Sequence, residues 1–288
     1  MSEGAGRFAP SPTGPLHLGS LLTATASFLD ARHRGAPWYL RFDDLDRPRN
    51  QTGAETTILR DLEAHGLHWD GPVRRQSSNI ARYADALANL AEQGWLFPCT
   101  CTRQALRGAA LYPGTCRKRD QPMADCAVRL RVDAATIRFD DLIQGKQYVD
   151  LAQAVGDFIV RRRDGIHAYA LATAVDDGAA DISRIIRGRD LLPLTAAQLL
   201  IMARLNLAPP TYGHLPLMVN AYNQKLSKQA HAAPLSLTRP LDNLRQVLAA
   251  LGNPAATAAA DSCPELLKAA QPCWSLADIP RHDVPEPS

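Results

Sequence analysis

Arg7-Phe8-Ala9-Pro10-Ser11-Pro12-Thr13-Gly14-Pro15-Leu16-His17-Leu18-Gly19-Ser20 is the stretch whose reading decides the fold. Arg7–Ala9 is short and reads as a buried strand. Pro10, Pro12, Gly14 and Pro15 then force an irregular turn, because proline fixes φ and glycine relaxes it. From Leu18, apolar residues recur at helical spacing (Leu18, Leu21, Leu22, Ala26, Leu29), and the pattern stops near Arg34-Gly35. Trp38–Phe42 reads as a second strand, followed by Asp43, Asp44 and Asp46. Together these segments predict a βαβ unit of an α/β fold. Its crossover should be right-handed and its ligands should gather at the strand C-termini.

The turn delivers His17-Leu18-Gly19-Ser20 to the start of a helix, where unpaired backbone N–H groups and a partial positive charge suit phosphate. Gly19 would let a nucleotide approach the backbone closely, and His17 could donate to developing phosphate charge. Far downstream, Lys225-Leu226-Ser227-Lys228 sets two cations around a small hydroxyl residue, flanked by Asn223, Gln224 and Gln229. Such a loop can stabilise a pentavalent transition state at an α-phosphate. Each motif alone is also what a surface helix start or a solvated loop looks like; the pair is far more specific.

Working outward, helical patterns cover Ala54–Gly66, Ile80–Gln93 and Leu194–Leu205, and strands are expected at Phe158–Val160 and His214–Val219. Ala168–Ala174 is an apolar segment. Residues 97–132 lose helical periodicity and carry four of the six cysteines, as an insertion would. Leu241–Leu251 and Pro264–Ala270 form a helical tail, and Pro280–Ser288 is expected to fray. The chain of 288 residues is 46% apolar and 21% charged, with a formal charge of +3, which permits nucleic-acid contact without demanding it. No membrane span or signal segment is visible, and cysteines in that setting suggest a reducing, cytoplasmic location. Cys99, Cys101 and Cys116 could hold a tetrahedral zinc with one further ligand, and Cys126 is a candidate for it. Three unrelated free thiols are the plainer alternative.

The His-x-Gly turn and the lysine loop together resemble the paired motifs of class I aminoacyl-tRNA synthetases, and the opening string closely resembles their glutamyl branch. The resemblance implies a Rossmann-like nucleotide-binding domain with a zinc-containing insertion and a short C-terminal helical appendage. In residue terms, 1–96 and 133–235 would be the two halves of the catalytic domain, 97–132 the insertion and 236–288 the appendage. It implies ATP with Mg²⁺, bound through His17, Gly19, Ser20 and Lys228, with Lys225 joining His17, Gly19 and Lys228 in catalysis. Arg7, with Phe8, Ala9, Pro10 and Ser11 lining the pocket, would hold a carboxylate of L-glutamate. Arg187 would hold the second carboxylate and Tyr169 would complete the pocket. Asp43 falls where the family usually has glutamate, so its grip on the substrate ammonium needs a closer backbone or a bridging water. Without the resemblance, Tyr169 reads as a core residue and Arg187 as a surface one. In the insertion, Tyr112 matches a tyrosine that replaces a fourth cysteine, making it the rival of Cys126 as zinc ligand.

Only 59 residues follow Gln229, too few for the anticodon-reading domains of a full glutamyl enzyme. Ser20-Leu21, Gln229 and the run His231-Ala232-Ala233-Pro234-Leu235 also resemble a short paralogue of the branch. That paralogue activates glutamate without tRNA and transfers it to queuosine at the wobble position of tRNA(Asp). The partner implied is the anticodon stem-loop, whose unpaired bases can be splayed and read, and a monomer is expected. The alternatives are a truncated synthetase charging a tRNA 3′ end, a small-molecule adenylyltransferase, or a non-catalytic nucleotide-binding relic.

Overall fold

A computed structural model describes residues 4–119, 121–133, 136–178, 181–226 and 233–286. In chain order the elements begin β1 (Gly6–Phe8), α1 (Leu18–His33), β2 (Trp38–Phe42), α2 (Ala54–Ala64), β3 (Arg74–Arg75) and α3 (Ile80–Glu92). Then come β4 (Leu96–Cys99), β5 (Ala127–Leu130), β6 (Thr136–Asp141), β7 (Gly145–Asp150), α4 (Leu151–Ala154) and β8 (Phe158–Arg161). The remainder is α5 (Tyr169–Asp177), β9 (Arg184–Gly188), α6 (Leu192–Arg204), β10 (Thr211–Leu215), β11 (Met218–Val219), α7 (Pro240–Ala250), α8 (Cys263–Ala270) and β12 (Val284–Pro285).

The expected βαβ unit is present: β1 and β2 pair in parallel, Gly6 opposite Trp38, with α1 crossing between them. β2 also pairs in parallel with β3, and β9 with β10. An isolated parallel bridge, Ala5 to Ile182, sets β1 beside β9. The spatial order β3-β2-β1-β9-β10 is that of a doubly wound sheet, and its switch point lies between β1 and β9.

Alternation along β2 assigns the two faces of this sheet. Trp38, Leu40 and Phe42 are fully buried in a core shared with α1 and α2, where Phe28 meets the Trp38 ring edge-on at 5.2 Å. The same core takes in α7 and α8 through Leu244, Leu248 and Leu266, so the helical tail packs directly against the β1-α1-β2 unit. A second core joins α3, α5 and α6 to the antiparallel sheet β4-β5-β8.

Three stretches depart from the sequence reading. Residues 136–150 form the hairpin β6–β7, whose strands alternate only between exposed and half-buried positions until Asp141. The strand read over His214–Val219 is instead β10 and β11, separated at Pro216, which has no N–H to continue a ladder. The segment expected to fray forms β12, parallel to β11; Val284 and Glu286 donate to the carbonyls of Leu217 and Val219 at 2.9 and 2.7 Å. Among the described residues no helix is long and apolar enough to cross a membrane.

Candidate active site

A cleft of about 770 Å³ opens at the C-terminal ends of β1 and β9, the switch point of the sheet. It brings together Arg7, Phe8, Ala9, Pro10, Ser11, His17, Gly19, Ser20, Asp43, Tyr169, Arg187 and Lys225, contributed by segments scattered over more than two-thirds of the chain. Lys228 lies outside the described residues.

At one end the groups are buried and charged. Arg7 donates from Nε and Nη2 to the two carboxylate oxygens of Asp177, at 3.0 and 2.5 Å. Arg41 donates from Nη1 to Asp177 at 2.7 Å and from Nε to Asp43 Oδ1 at 2.7 Å. Burial alone would raise the Asp177 carboxyl, but Arg41 and Arg7 overcome this and hold it far below the usual carboxylate range. Behind it, Asp176 accepts from Tyr83, Asn79 and Gln76 at 2.7, 3.0 and 3.1 Å, which ties α5 to α3. Asp43 keeps one oxygen, Oδ2, buried without a hydrogen-bond partner. Burial pushes this carboxyl up, against the pull of Arg41 beside it. A cation seated on Oδ2 would satisfy the oxygen and favour the ionised form.

Arg187 is only 2% exposed, which overturns the plain reading of it as a surface residue. Its partners are all uncharged or neutralised groups: Nη2 donates to Thr195 Oγ1 and Gln198 Oε1, both at 2.7 Å, and Nε to His214 Nε2 at 3.1 Å. Nη1 is buried with no partner. Among the described residues no carboxylate lies within ion-pair distance of this guanidinium. Burial lowers its pKa, yet an arginine stays charged. Tyr169, the first residue of α5, is 36% exposed on the same cleft and so is not a core residue.

At the other end the cleft meets the start of α1. His17 is its N-cap: His17 Nδ1 accepts from the Ser20 N–H at 3.3 Å, and the His17 N–H donates to Ser20 Oγ at 2.7 Å. The Ser20 hydroxyl thus serves the helix start itself. A Cβ on Gly19 would come within 3.2 Å of the His17 ring, so a side chain there would require the ring to shift by a few tenths of an ångström. Lys225 returns antiparallel to Val219 after a tight turn, and its Nζ pairs with Asp190 at 2.5 Å; both side chains are exposed.

Away from the cleft, Cys99 ends β4 and meets Cys101 and Cys116, the three sulfurs lying within 4.8 Å of one another. Cys101 and Cys116 are 3.6 Å apart. Thiolates sharing one tetrahedral ion at about 2.3 Å stand about 3.8 Å apart, so the cluster has the donors and spacing for a metal. The Tyr112 hydroxyl sits 3.6 Å from Cys99 Sγ and 3.9 Å from Cys101 Sγ, and accepts from the Cys116 N–H at 2.8 Å. Burial works against ionising Cys116, but hydrogen bonds from Tyr112, Thr100 and Cys101 outweigh it and bring the thiol down to about 6. Cys126 lies apart, its thiol directed at the Pro122 and Met123 carbonyls.

Sequence reasoning missed Arg41, Asp177, Thr195, Gln198, His214 and Asp141. Arg41 stood in the second strand, Trp38–Phe42, before Asp43, and its place on the strand face opposite Leu40 was the available signal. The others are joined to the cleft by contacts such as Arg7 to Asp177, 170 positions apart, for which one sequence carries no signal.

The chain matches the family of tRNA synthetases class I (E and Q), catalytic domain, over residues 5–123 and 108–252. It belongs to that class. A glutamyl-Q tRNA(Asp) synthetase of Thiobacillus denitrificans (strain ATCC 25259 / T1) is 48% identical over 288 residues, covering 97% of this chain and 96% of the relative. Another, from Methylococcus capsulatus, is 50% identical over 250 residues, 86% of this chain and 83% of the relative. Within the class, therefore, the chain belongs with the glutamyl-Q tRNA(Asp) synthetases. A glutamate tRNA ligase from Elizabethkingia meningosepticum, solved in complex with its amino acid, has the same fold: TM-score 0.83 at 24% identity, covering 98% of this chain and 66% of that one.

Proposed function

We propose that this chain activates L-glutamate with ATP, without requiring tRNA, and transfers the glutamyl group to queuosine at the wobble position of tRNA(Asp). The observation that carries the amino-acid half is a complementary pair of unsatisfied groups in one cleft. Arg187 Nη1 offers two donors with no acceptor, and Asp43 Oδ2 is an acceptor with no donor. An amino acid presents the matching carboxylate and ammonium. The acceptor half rests on kinship with the glutamyl-Q tRNA(Asp) synthetases.

In the first step a glutamate α-carboxylate oxygen attacks the α-phosphorus of ATP. An acyl–O–P bond forms, the bond to the β-phosphate oxygen breaks, and pyrophosphate leaves. Carboxylate is already nucleophilic, so alignment and charge stabilisation carry the catalysis. The helix start at His17–Ser20 and the cations Lys225 and Lys228 would face the phosphates, and Mg²⁺ would accompany ATP. A queuosine ring hydroxyl then attacks the acyl carbon, loses its proton, and releases AMP, leaving an ester. Cys99, Cys101 and Cys116, with Tyr112 as fourth ligand, would hold one structural zinc that stiffens the turn beyond β4. Six free cysteines suit a reducing cytoplasm.

Glutamate-dependent pyrophosphate exchange, with and without tRNA, tests the activation step. Transfer of labelled glutamate to tRNA(Asp) with and without queuosine tests the acceptor. Equal labelling of both tRNAs, or label on the 3′ adenosine, rejects the anticodon-loop reading. Metal analysis of protein purified without chelator should find one zinc per chain, reduced in Cys116→Ser.

A further inference from the structure

Each N–H of Arg187 can be accounted for. Nε serves His214, Nη2 serves Thr195 and Gln198, and Nη1 is left for the cleft. The direction of Nη1 therefore depends on what holds the other two nitrogens. Thr195 and Gln198 lie on α6, beside the strand that carries Arg187. His214 lies on β10, in register opposite Arg187 on β9, and is itself fully buried.

The donor pattern dictates the state of the histidine. Arg187 Nε is always a donor, so His214 Nε2, at 3.1 Å, must be the acceptor and carry no proton. The ring proton then sits on Nδ1, which faces Asp141 Oδ2 at 2.5 Å. The other Asp141 oxygen accepts three backbone N–H groups, those of Ile143, Gln144 and His214, at 3.0, 2.8 and 3.1 Å. Asp141 is 4% exposed and closes β6, at the turn of the hairpin that the sequence pattern did not reveal. Burial keeps His214 from charging, and Arg187 beside it acts in the same direction. Gln144, from the same turn, donates to the His214 carbonyl at 2.8 Å, so the hairpin grips both the ring and the backbone of this residue.

We infer that Asp141 and His214 are positioning residues for substrate binding: the hairpin carboxylate fixes the histidine as the Nδ1–H tautomer, and the histidine aims the Arg187 guanidinium at the substrate carboxylate. The inference deepens the proposed function, since it rests on Arg187 being a glutamate carboxylate seat. The arrangement holds the arginine with an uncharged acceptor. A carboxylate in direct contact would neutralise the guanidinium, whereas a neutral imidazole leaves its charge for the ligand. The carboxylate is kept one ring further away, where it sets the tautomer.

The test uses the full chain in glutamate-dependent pyrophosphate exchange, with KM measured separately for glutamate and ATP. His214→Leu removes the acceptor of Arg187 Nε together with the ring's contacts to Asp141 Oδ2 and Thr195 Oγ1, at 2.5 and 3.1 Å. It should raise the glutamate KM about tenfold or more, with the ATP KM within about twofold. His214→Gln, whose amide oxygen can replace Nε2 as acceptor, should recover most of that loss. Asp141→Asn should fall between them. A folded His214→Leu protein with unchanged glutamate KM overturns the inference. So do parallel rises in both KM values, which mark a general structural role. Nitrogen NMR on histidine-labelled, unsubstituted protein gives a second readout that does not depend on activity or on any variant folding. A neutral Nδ1–H ring supports the inference, while an imidazolium or an Nε2–H tautomer refutes it. If the unsubstituted protein shows no glutamate-dependent exchange, the glutamate reading fails, and the tautomer measurement still decides the Asp141–His214 arrangement.

Discussion

The two arginines at the charged end of the cleft are both buried but held in opposite ways. Arg7, on β1, is locked by two hydrogen bonds to Asp177, a carboxylate shared with Arg41. Arg187, across the switch point on β9, is held by a hydroxyl, an amide and an imidazole. The difference separates two uses of the same side chain. A guanidinium already paired with a buried carboxylate has its charge neutralised and serves mainly to build the wall. A guanidinium surrounded by neutral acceptors keeps its charge for a ligand. Arg7 lines the cleft with its charge balanced, whereas Arg187 lines it with Nη1 unpartnered.

Substitution at each side should give different outcomes. The largest effect is expected for Asp177→Asn, which leaves Arg7 and Arg41 buried without their shared counter-charge. Breaking a buried pair in this way costs about 3–5 kcal/mol, to be read as a lowered denaturant midpoint. Arg187→Met removes an uncompensated buried charge while keeping volume. Its stability should fall less than in Asp177→Asn, because Thr195, Gln198 and His214 lose a donor but no ion pair is broken. The glutamate KM should rise on the order of 100-fold, the value of two charged hydrogen bonds at about 1.5 kcal/mol each. Equal loss of stability in both variants would break the comparison.

A pH titration of unfolding sharpens it. The Asp177 carboxyl is depressed in the folded state, so its contribution is present above its unfolded value near about 4. That contribution is lost as pH falls below this value toward the folded one, with a slope of up to about 1.4 kcal/mol per pH unit. Asp177→Asn should lack this component of acid sensitivity, as seen by urea unfolding at stepped pH. The smallest effect is expected at the end of the cleft near α1. Asp190→Asn removes an exposed partner of Lys225, which should change stability by less than about 1 kcal/mol. Its effect should appear as a modest shift in ATP KM; a stability loss matching that of Asp177→Asn would remove the contrast between buried and exposed pairs.

Much of the site's frame was legible in the sequence. The βαβ unit, the helix start at His17 and the cysteine spacing all follow from local patterns of proline, glycine and apolar period. What stayed hidden has a common physical cause. β9 reads Arg184-Ile185-Ile186-Arg187-Gly188, and its charges suggest a surface, because only the folded cleft supplies the partners that let Arg187 be buried. The hairpin β6–β7 lacks a clean apolar alternation because its strands are largely exposed, yet its last residue, Asp141, is buried. β12 was hidden by proline and charge, and is held by backbone pairing and by Asp283 accepting from the Leu217 N–H at 2.8 Å.

The pairing of β12 with β11 also sets an order in time. Synthesis runs from the first residue, and Arg7, Asp43, Asp177, Arg187 and His214 are all in the chain once residue 214 has been added. β11 is flanked on one side by the returning Lys225 strand, but its other neighbour is made only with residues 284 and 285. Pairing on the second side of β11 therefore waits for the last residues of the strand order, after the helices α7 and α8 that share the core of β1, α1 and β2. The lining of the cleft is thus complete in the chain well before the strand that finishes the pairing of β11.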